Sequence, residues 1–457
     1  MHAAPGNPVL TVLADRGPLP AATLRRELGV SQPTMSRLVR RAGDSIVRIG
    51  QARATRYAAR RTVRALGDRW PVYRVDEQGA PRLAAQLHAI APRSWYYASQ
   101  VPAPGWMHGE FADGSFPDLP WFLDDMRPQG FMGRAFARKH AAVLGVQEDP
   151  RLWSAETTLA ALLAFGDDTP GNFILGASAL ERFERRRLAS PEGIEAGRRA
   201  AAYASLATAA LANDVPGSSA GGEQPKFTAT VLDRSGARHV IVKFTPTRET
   251  AFGVRWADLL VCEQLALAAL REAGAAACTT EILEAEDRTF LEVTRFDRVG
   301  LHGRLGVISL QALSNAYHGT LDDWLLAADR LEQDGWLGAV DADALRFQAF
   351  FGSMIRNSDM HFGNVSLAID AVMPLCLAPA YDMLPMHYRP SPTGEIVERP
   401  FEPRIPPVDR RALWVRAAEA AGRFWGAATE DARISEDFRR LAAEVLATND
   451  RVLATYR

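Results

Sequence analysis

The chain has 457 residues, 47% of them apolar and 23% charged, which is the composition of a folded globular protein of two to four domains. No apolar run is long enough to cross a bilayer, and the start, Met1 to Leu10, has no basic stretch leading into an apolar core, so neither a membrane span nor a secretory leader is expected. The net charge of −1 hides an asymmetry: residues 1–67 hold 12 Arg against Asp15, Glu27 and Asp44, a surplus of +9 that leaves −10 for the rest and points to a polyanion partner for the head.

In chain order, Val9 to Leu13 begins an apolar helix that Gly17-Pro18-Leu19-Pro20 breaks. Ala21 to Leu28 reads as a second helix, Gly29-Val30-Ser31 as a tight turn with Ser31 at the N-cap, and Gln32 to Arg41 as a third, with Pro33 tolerated near its start. Ile46 to Gly50 and Thr55 to Ala58 read as strands around the loop Gln51-Ala52-Arg53. Beyond Trp70 come short strands such as Val72 to Val75, irregular structure, and a helix over Met132 to Leu144; residues 151–212 are mostly helical. Phe227 to Leu232, a turn at Asp233 to Gly236, and His239 to Phe244 form a β-hairpin. Ala251 to Ala273 is expected as a long amphipathic helix and Arg288 to Val293 as a strand; from Ser309 on the chain is chiefly helical.

Helix, turn, helix and basic hairpin is the plan of a winged helix-turn-helix. Its second motif helix presents N-terminal residues to base edges in the major groove of double-stranded DNA. Gln32, Thr34, Met35 and Ser36 would face bases; Arg37, Arg40 and Arg41 would reach phosphates or guanine edges; Arg48, Arg53 and Arg56 would lie on the wing. A small helical domain with a solvated Arg face is the bland alternative. A homodimer matching two half-sites is a further expectation.

The chain holds three lysines, Lys139, Lys226 and Lys243. Genome composition explains such a bias, but a lysine persists where a compact point charge on phosphate is needed. Lys226 ends a stretch of small residues, Pro216 to Pro225, whose amides could approach phosphate oxygens. The stretch lacks the Walker spacing. Gly217-Ser218-Ser219-Ala220-Gly221 fits a hydrolase nucleophile elbow, but a helix precedes it and a strand follows, the reverse of what the elbow needs. A flexible linker is the other alternative. Lys243 ends an alternating apolar strand, as an ATP-phosphate lysine does.

Asn357-Ser358-Asp359-Met360-His361-Phe362-Gly363-Asn364 follows a helix, Ala342 to Arg356, with Phe347, Phe350, Phe351, Met354 and Ile355 on one face. Asp359 and Asn364 have the spacing of a phosphotransfer loop, in which a carboxylate accepts the proton of the attacking hydroxyl and an amide turns back onto Mg²⁺. Asp382 supplies a second metal carboxylate. An Asx-rich helix cap, or a transition-metal site of Asp359, His361 and Asp382, are the alternatives.

Taken together, Gly222-x-Gln224-Pro225-Lys226, Val242-Lys243, Arg295-Phe296-Asp297-Arg298, Asn357-x-Asp359-x-His361-x-x-Asn364 and Tyr381-Asp382 resemble the HipA family of bacterial serine/threonine kinases. The resemblance implies a two-lobed, protein-kinase-like fold, and with the winged helix-turn-helix read above over 1–67 the chain is expected to be α+β, with an N-terminal lobe over 68–300 and a mostly helical catalytic lobe over 301–457. It implies ATP and Mg²⁺. Asp359 would be the base, His361 would brace its loop, and Lys243 would contact ATP phosphates. Asn364 and Asp382 would hold metal. The nucleotide would be lined by Ala220, Gly221, Gly222, Glu223, Gln224, Lys226, Thr294, Arg295, Phe296, His361, Asn364, Tyr381 and Asp382. Ser219, or else Ser218, would be an autophosphorylated residue whose dianion expels the loop. The family implies a growth-inhibiting toxin with a protein substrate and an antitoxin as a candidate partner; the fused head resembles a subgroup. The three thiols, Cys262, Cys278 and Cys376, have no disulfide or metal spacing and point to the cytoplasm. Asp258 and Glu263 are both open as the acid partner of Lys243. A nucleotide-sensing, DNA-binding transcription regulator with an inactive kinase fold is the alternative function.

Overall fold

The computed structural model describes residues 7–100, 102, 104–212, 224–319, 323–369, 372–391, 394–395, 404–405 and 408–456. The chain is a mixed helix-and-sheet protein in two compact units, one of residues 1–76, 80–127 and 153–188, the other of 77–79, 128–152 and 189–457.

The first unit opens with three helices, Pro8–Arg16, Ala21–Leu28 and Gln32–Ala42. Asn7 caps the first by accepting from Val9 N–H at 3.1 Å, with Pro8 in the first helical position. Gly29, at φ 64°, ends the second in the left-handed region that favours glycine. Ser31 stands at the N-cap of the third, but its hydroxyl meets that of Thr34 at 3.0 Å instead of a backbone amide. A three-stranded antiparallel sheet, ordered Leu19–Pro20, Arg56–Ala59, Ile46–Ile49, follows. Val9, Leu13, Leu24, Met35 and Ala59 form the core between helices and sheet.

Five antiparallel strands make the second sheet of this unit, in the order Ser115–Phe116, Ser94–Ser99, Pro81–Ile90, Arg69–Val75, Phe173–Leu175. Aromatic rings fill its core: Phe122 lies edge-on to Trp106 at 4.7 Å and to Tyr97 at 5.2 Å. The two sheets are joined without a linker. Ala91 N–H donates to Ala59 O at 2.9 Å and Arg61 N–H to Ala89 O at 2.9 Å. Ile90 is fully buried with Val47, Ile49 and Ala58.

The second unit holds a five-stranded sheet, ordered Thr280–Ala285, Arg288–Thr294, Gly236–Phe244, Lys226–Asp233, Ile194–Glu195, antiparallel except for the last pair. Successive strand residues face opposite sides. Val240, Val242 and Phe244 pack with Tyr203 and Ala207 of the helix Arg199–Ala212, so Lys243 points to the other face. There lies the helix Ala251–Glu272. The expectation of an amphipathic helix fails here. Residues from Arg255 to Glu263 are buried around the whole circumference, because the sheet covers one side and the helix Arg411–Glu430 another.

The helices Leu310–Tyr317, Trp324–Gln333, Ala339–Met354, Arg411–Glu430 and Glu436–Tyr456 complete the unit, beside a small sheet of Val307–Ser309, Ser366–Ala368 and Cys376–Leu377. The buried end of Ala339–Met354 leaves carbonyls to satisfy. Trp425 Nε1 and Asn449 Nδ2 both donate to Met354 O at 3.1 Å. That fixes the point from which the Asn357–Asn364 loop departs.

Candidate functional site

Lys226 and Lys243 are register partners in the hairpin, so two of the chain's three lysines stand side by side on the face turned to the helix Ala251–Glu272. Lys243 is 4% exposed. Its ammonium donates to both oxygens of the fully buried Glu263, each at 2.6 Å, and to Asp382 Oδ1. Glu263 is therefore the acid that meets the strand lysine. Asp258 is committed elsewhere, accepting from Ser435 N–H and Oγ–H, both at 2.7 Å.

The electrostatics follow from burial and pairing. Burial pushes the Glu263 carboxyl up, against the pull of Lys243. Burial also works against ionised Asp382, but Lys243, with Lys226 and His361 behind it, outweighs burial and holds that carboxyl at about 2. The Lys243 ammonium loses solvation, yet Asp382 and Glu263 more than compensate and raise its pKa above the ordinary lysine value.

Asp382 sits at φ 53°, a left-handed conformation uncommon outside glycine. Its carbonyl accepts from Asn357 Nδ2 at 3.3 Å, while Asn357 Oδ1 accepts from Asp359 N–H at 3.0 Å. One amide thus ties the Asp382 backbone to that of Asp359. Asn364 is buried, and its Nδ2 donates to Asp359 O at 2.9 Å. Gly363 N–H donates to His361 Nδ1 at 3.1 Å, so His361 caps the short turn Phe362–Asn364. Tyr381 O–H donates to Gly363 O at 2.8 Å, and its ring lies 5.7 Å from that of Phe296. These contacts hold the Asp359 loop from both ends.

Other expected residues are placed differently. The Arg295 side chain pairs with Asp297 through two bonds of 2.9 Å, Thr294 Oγ1 receives Arg238 at 3.5 Å, and the Thr294 and Arg295 backbone amides donate to Thr279 O and His239 O, each at 2.9 Å. Gln224 Nε2 is buried with no hydrogen-bond partner among the described residues, beside the cationic pair. Ser218, Ser219, Ala220, Gly221, Gly222 and Glu223 lie outside the described residues. The alternative site of Asp359, His361 and Asp382 for a transition metal is not assembled: among the described residues no three His, Cys, Asp or Glu side chains gather as a metal group.

In the basic head, Gln32, Arg37, Arg40 and Arg41 are exposed, and Thr34 and Ser36 are half-buried. Arg37 Nη2 donates to Thr34 Oγ1 at 3.2 Å. Met35 is a correction: it is 1% exposed and packs inward with Val9, Leu13 and Leu24, because the third helix must bury one face against the other two. Arg56, in the strand Arg56–Ala59, pairs with Asp113 at 3.2 Å and Ser115 at 3.3 Å. The Arg53 side chain lies outside what the structure describes. No helix among the described residues is long and apolar enough to cross a membrane.

Two family descriptions match: a YjjJ-like toxin middle domain over residues 66–184 and a HipA-like C-terminal domain over 218–452. The chain is 39% identical over 440 residues to Toxin YjjJ of Escherichia coli (strain K12), covering 95% of this chain and 96% of that one. Among solved structures it is similar to a chain of the Shewanella oneidensis MR-1 toxin–antitoxin complex of HipA, HipB and operator DNA (TM-score 0.48, 14% identity, 85% of this chain and 96% of that chain). It is also similar to the Helicobacter pylori proinflammatory kinase CtkA (TM-score 0.36, 11% identity, 53% and 94%).

Proposed function

This chain belongs to the HipA-like toxin family, and on that premise we propose that it is a Mg²⁺- and ATP-dependent kinase of serine or threonine hydroxyls in a protein substrate. The observation that carries this reading is Lys243 Nζ held between Glu263 and Asp382, with Asn357 tying the Asp382 backbone to the loop of Asp359.

The residues present fit the nucleotide and the metal. Lys226, Lys243 and Gln224 Nε2, which has no partner among the described residues, are donors suited to phosphate oxygens. Asn364 Oδ1 and the Asp382 carboxylate are hard oxygen ligands of the type Mg²⁺ takes. Bound there, the metal would neutralise charge on the phosphate oxygens. Glu263 would keep Lys243 pointed into the site if Asp382 served as a metal ligand. Asp359 accepts the proton of the attacking hydroxyl as its oxygen bonds to the γ-phosphorus, and ADP leaves with the electron pair of the broken P–O bond. His361 shapes the loop through its bond from Gly363.

The head is read as a winged helix-turn-helix on double-stranded DNA. This is supported by the +9 charge and by the exposed row Gln32, Arg37, Arg40 and Arg41 on one short helix. Ser36 and Thr34 flank that row, and Arg53 stays a wing candidate on sequence grounds. An antitoxin and a second copy are proposed partners, and Ser219 or Ser218 the proposed self-modified residue. The same exposed basic row favours a second reading, a DNA-binding regulator that only senses nucleotide.

The test is incubation with Mg²⁺ and γ-labelled ATP beside Asp359→Ala, with label located by mass spectrometry. Label in the parent and none in the variant is the expected result. Equal label in both overturns the assignment of Asp359. ATP binding without label in a parent of unmodified intact mass leaves the sensing regulator.

A further inference from the structure

Beyond Asp382 the chain runs through Met383, Leu384, Pro385 and Met386, all buried, and reaches Tyr388, a residue outside every sequence motif. Tyr388 is held from three directions. Its hydroxyl accepts from the Arg356 guanidinium, which lies over its ring at 5.5 Å. Its carbonyl accepts from Arg255 Nη1 at 3.3 Å. Its ring stands edge-on to Trp425 at 6.4 Å and to Phe438 at 5.9 Å, on the last two helices.

Two of these contacts lead to the site. Arg356 adopts φ 60° where the chain leaves the helix Ala339–Met354, and its carbonyl accepts from His387 N–H at 3.1 Å. It is therefore the stem of the Asn357–Asn364 loop. Arg255 is on the helix that carries Glu263, eight residues earlier and about 12 Å along the axis. Tyr388 thus touches both the element that positions Asp359 and the element that presents Glu263 to Lys243.

A guanidinium at the base of such a loop is a natural receiver for a phosphate on the segment past the metal carboxylate, the usual way that segment is ordered. Here the ring and hydroxyl of Tyr388 occupy it. We propose that Tyr388 is a positioning residue that fixes the Asp359 loop against the Glu263 helix, so that the segment after Asp382 stands in place without covalent modification. The activity arm of its test rests on the kinase reading; the exchange arm does not.

Tyr388→Phe keeps the ring packing and the carbonyl and deletes only the acceptor of Arg356. Hydrogen exchange of the amides from Ser358 to Asn364 is expected to quicken severalfold. The kcat for phosphotransfer should fall about tenfold, as for one lost bond to a charged group, with KM for ATP unchanged. Tyr388→Ala, which also loses the ring packing, should go further and lower Tm. Unchanged exchange in Tyr388→Phe, with acceleration in Tyr388→Ala alone, would reduce the residue to packing and overturn the proposal. A parent activity that depends on phosphate between residues 383 and 395 would also overturn it. If the parent transfers no phosphate, the kinase reading falls while the exchange result still decides the role of Tyr388.

Discussion

Changing Glu263 to Gln tests the site through stability, before any catalysis is measured. The carboxylate is fully buried, and both of its oxygens lie 2.6 Å from an ammonium that is itself 4% exposed. Removing one partner of such a pair costs roughly 3–5 kcal/mol, because the remaining charge is left uncompensated. The amide retains one acceptor, and Asp382 still faces Lys243, so the cost should sit at the low end, about 3 kcal/mol. In a unit of this size that lowers Tm by roughly 5–10 °C. The double variant Lys243→Met with Glu263→Leu removes both charges and fills the space. It should recover to within about 1 kcal/mol of the parent, as apolar replacements of buried pairs do. Asp382, 26% exposed in its side chain, can be hydrated once Lys243 is gone. Differential scanning calorimetry of the full chain at neutral pH reads both variants. A single variant melting with the parent, or a double variant no better than the single, would refute the claim that Glu263 and Lys243 are a mutually dependent buried pair.

Two further outcomes follow from the first unit. His88 is 6% exposed in the central strand Pro81–Ile90, and burial, with Arg60 and Arg69, lowers its pKa from 6.5 to about 4. The folded state therefore favours the neutral ring. Stability should be full above pH 6.5 and fall by on the order of 3 kcal/mol as pH drops to 4, a limb that His88→Phe should flatten in pH-dependent urea melts. In the head, replacing Arg37, Arg40 and Arg41 together with Gln should weaken binding to duplex DNA. It should also lower the slope of log K against log salt by roughly 0.9 for each phosphate no longer neutralised, measured by fluorescence anisotropy. An unchanged slope would move the DNA-binding surface elsewhere.

The parts legible in the sequence are those in which chemistry is local. The lysine hairpin shows its alternation and turn, and Asp359 and Asn364 lie within one loop, so spacing alone brings them near each other. Glu263 could not be chosen over Asp258, because the middle of its helix is buried on every side and no polar face marks which acid points to the sheet. Met35 misleads because in a helix of 11 residues with a dozen arginines nearby, the inward face is one or two side chains wide. The five-stranded sheet of the first unit leaves little trace beyond Val72 to Val75. The strand Pro81–Ile90 is buried continuously from Leu87 to Ile90, which erases the alternation that would have announced it. Tyr388 is invisible for another reason: its partners, Arg356 and Arg255, are 32 and 133 residues away.

The continuity between the head and the aromatic sheet has a mechanical consequence. A reader on a flexible tether searches its target with a concentration set by tether length. The head, whose Ala59 and Arg61 bond to Ala91 and Ala89 and whose Ile49 packs with Ile90, has no such freedom. Its orientation is inherited from the first compact unit as a whole. Cutting the chain at Gly67 would strip Val47, Ile49 and Ala58 of their cover, producing a sticky fragment instead of an independent module.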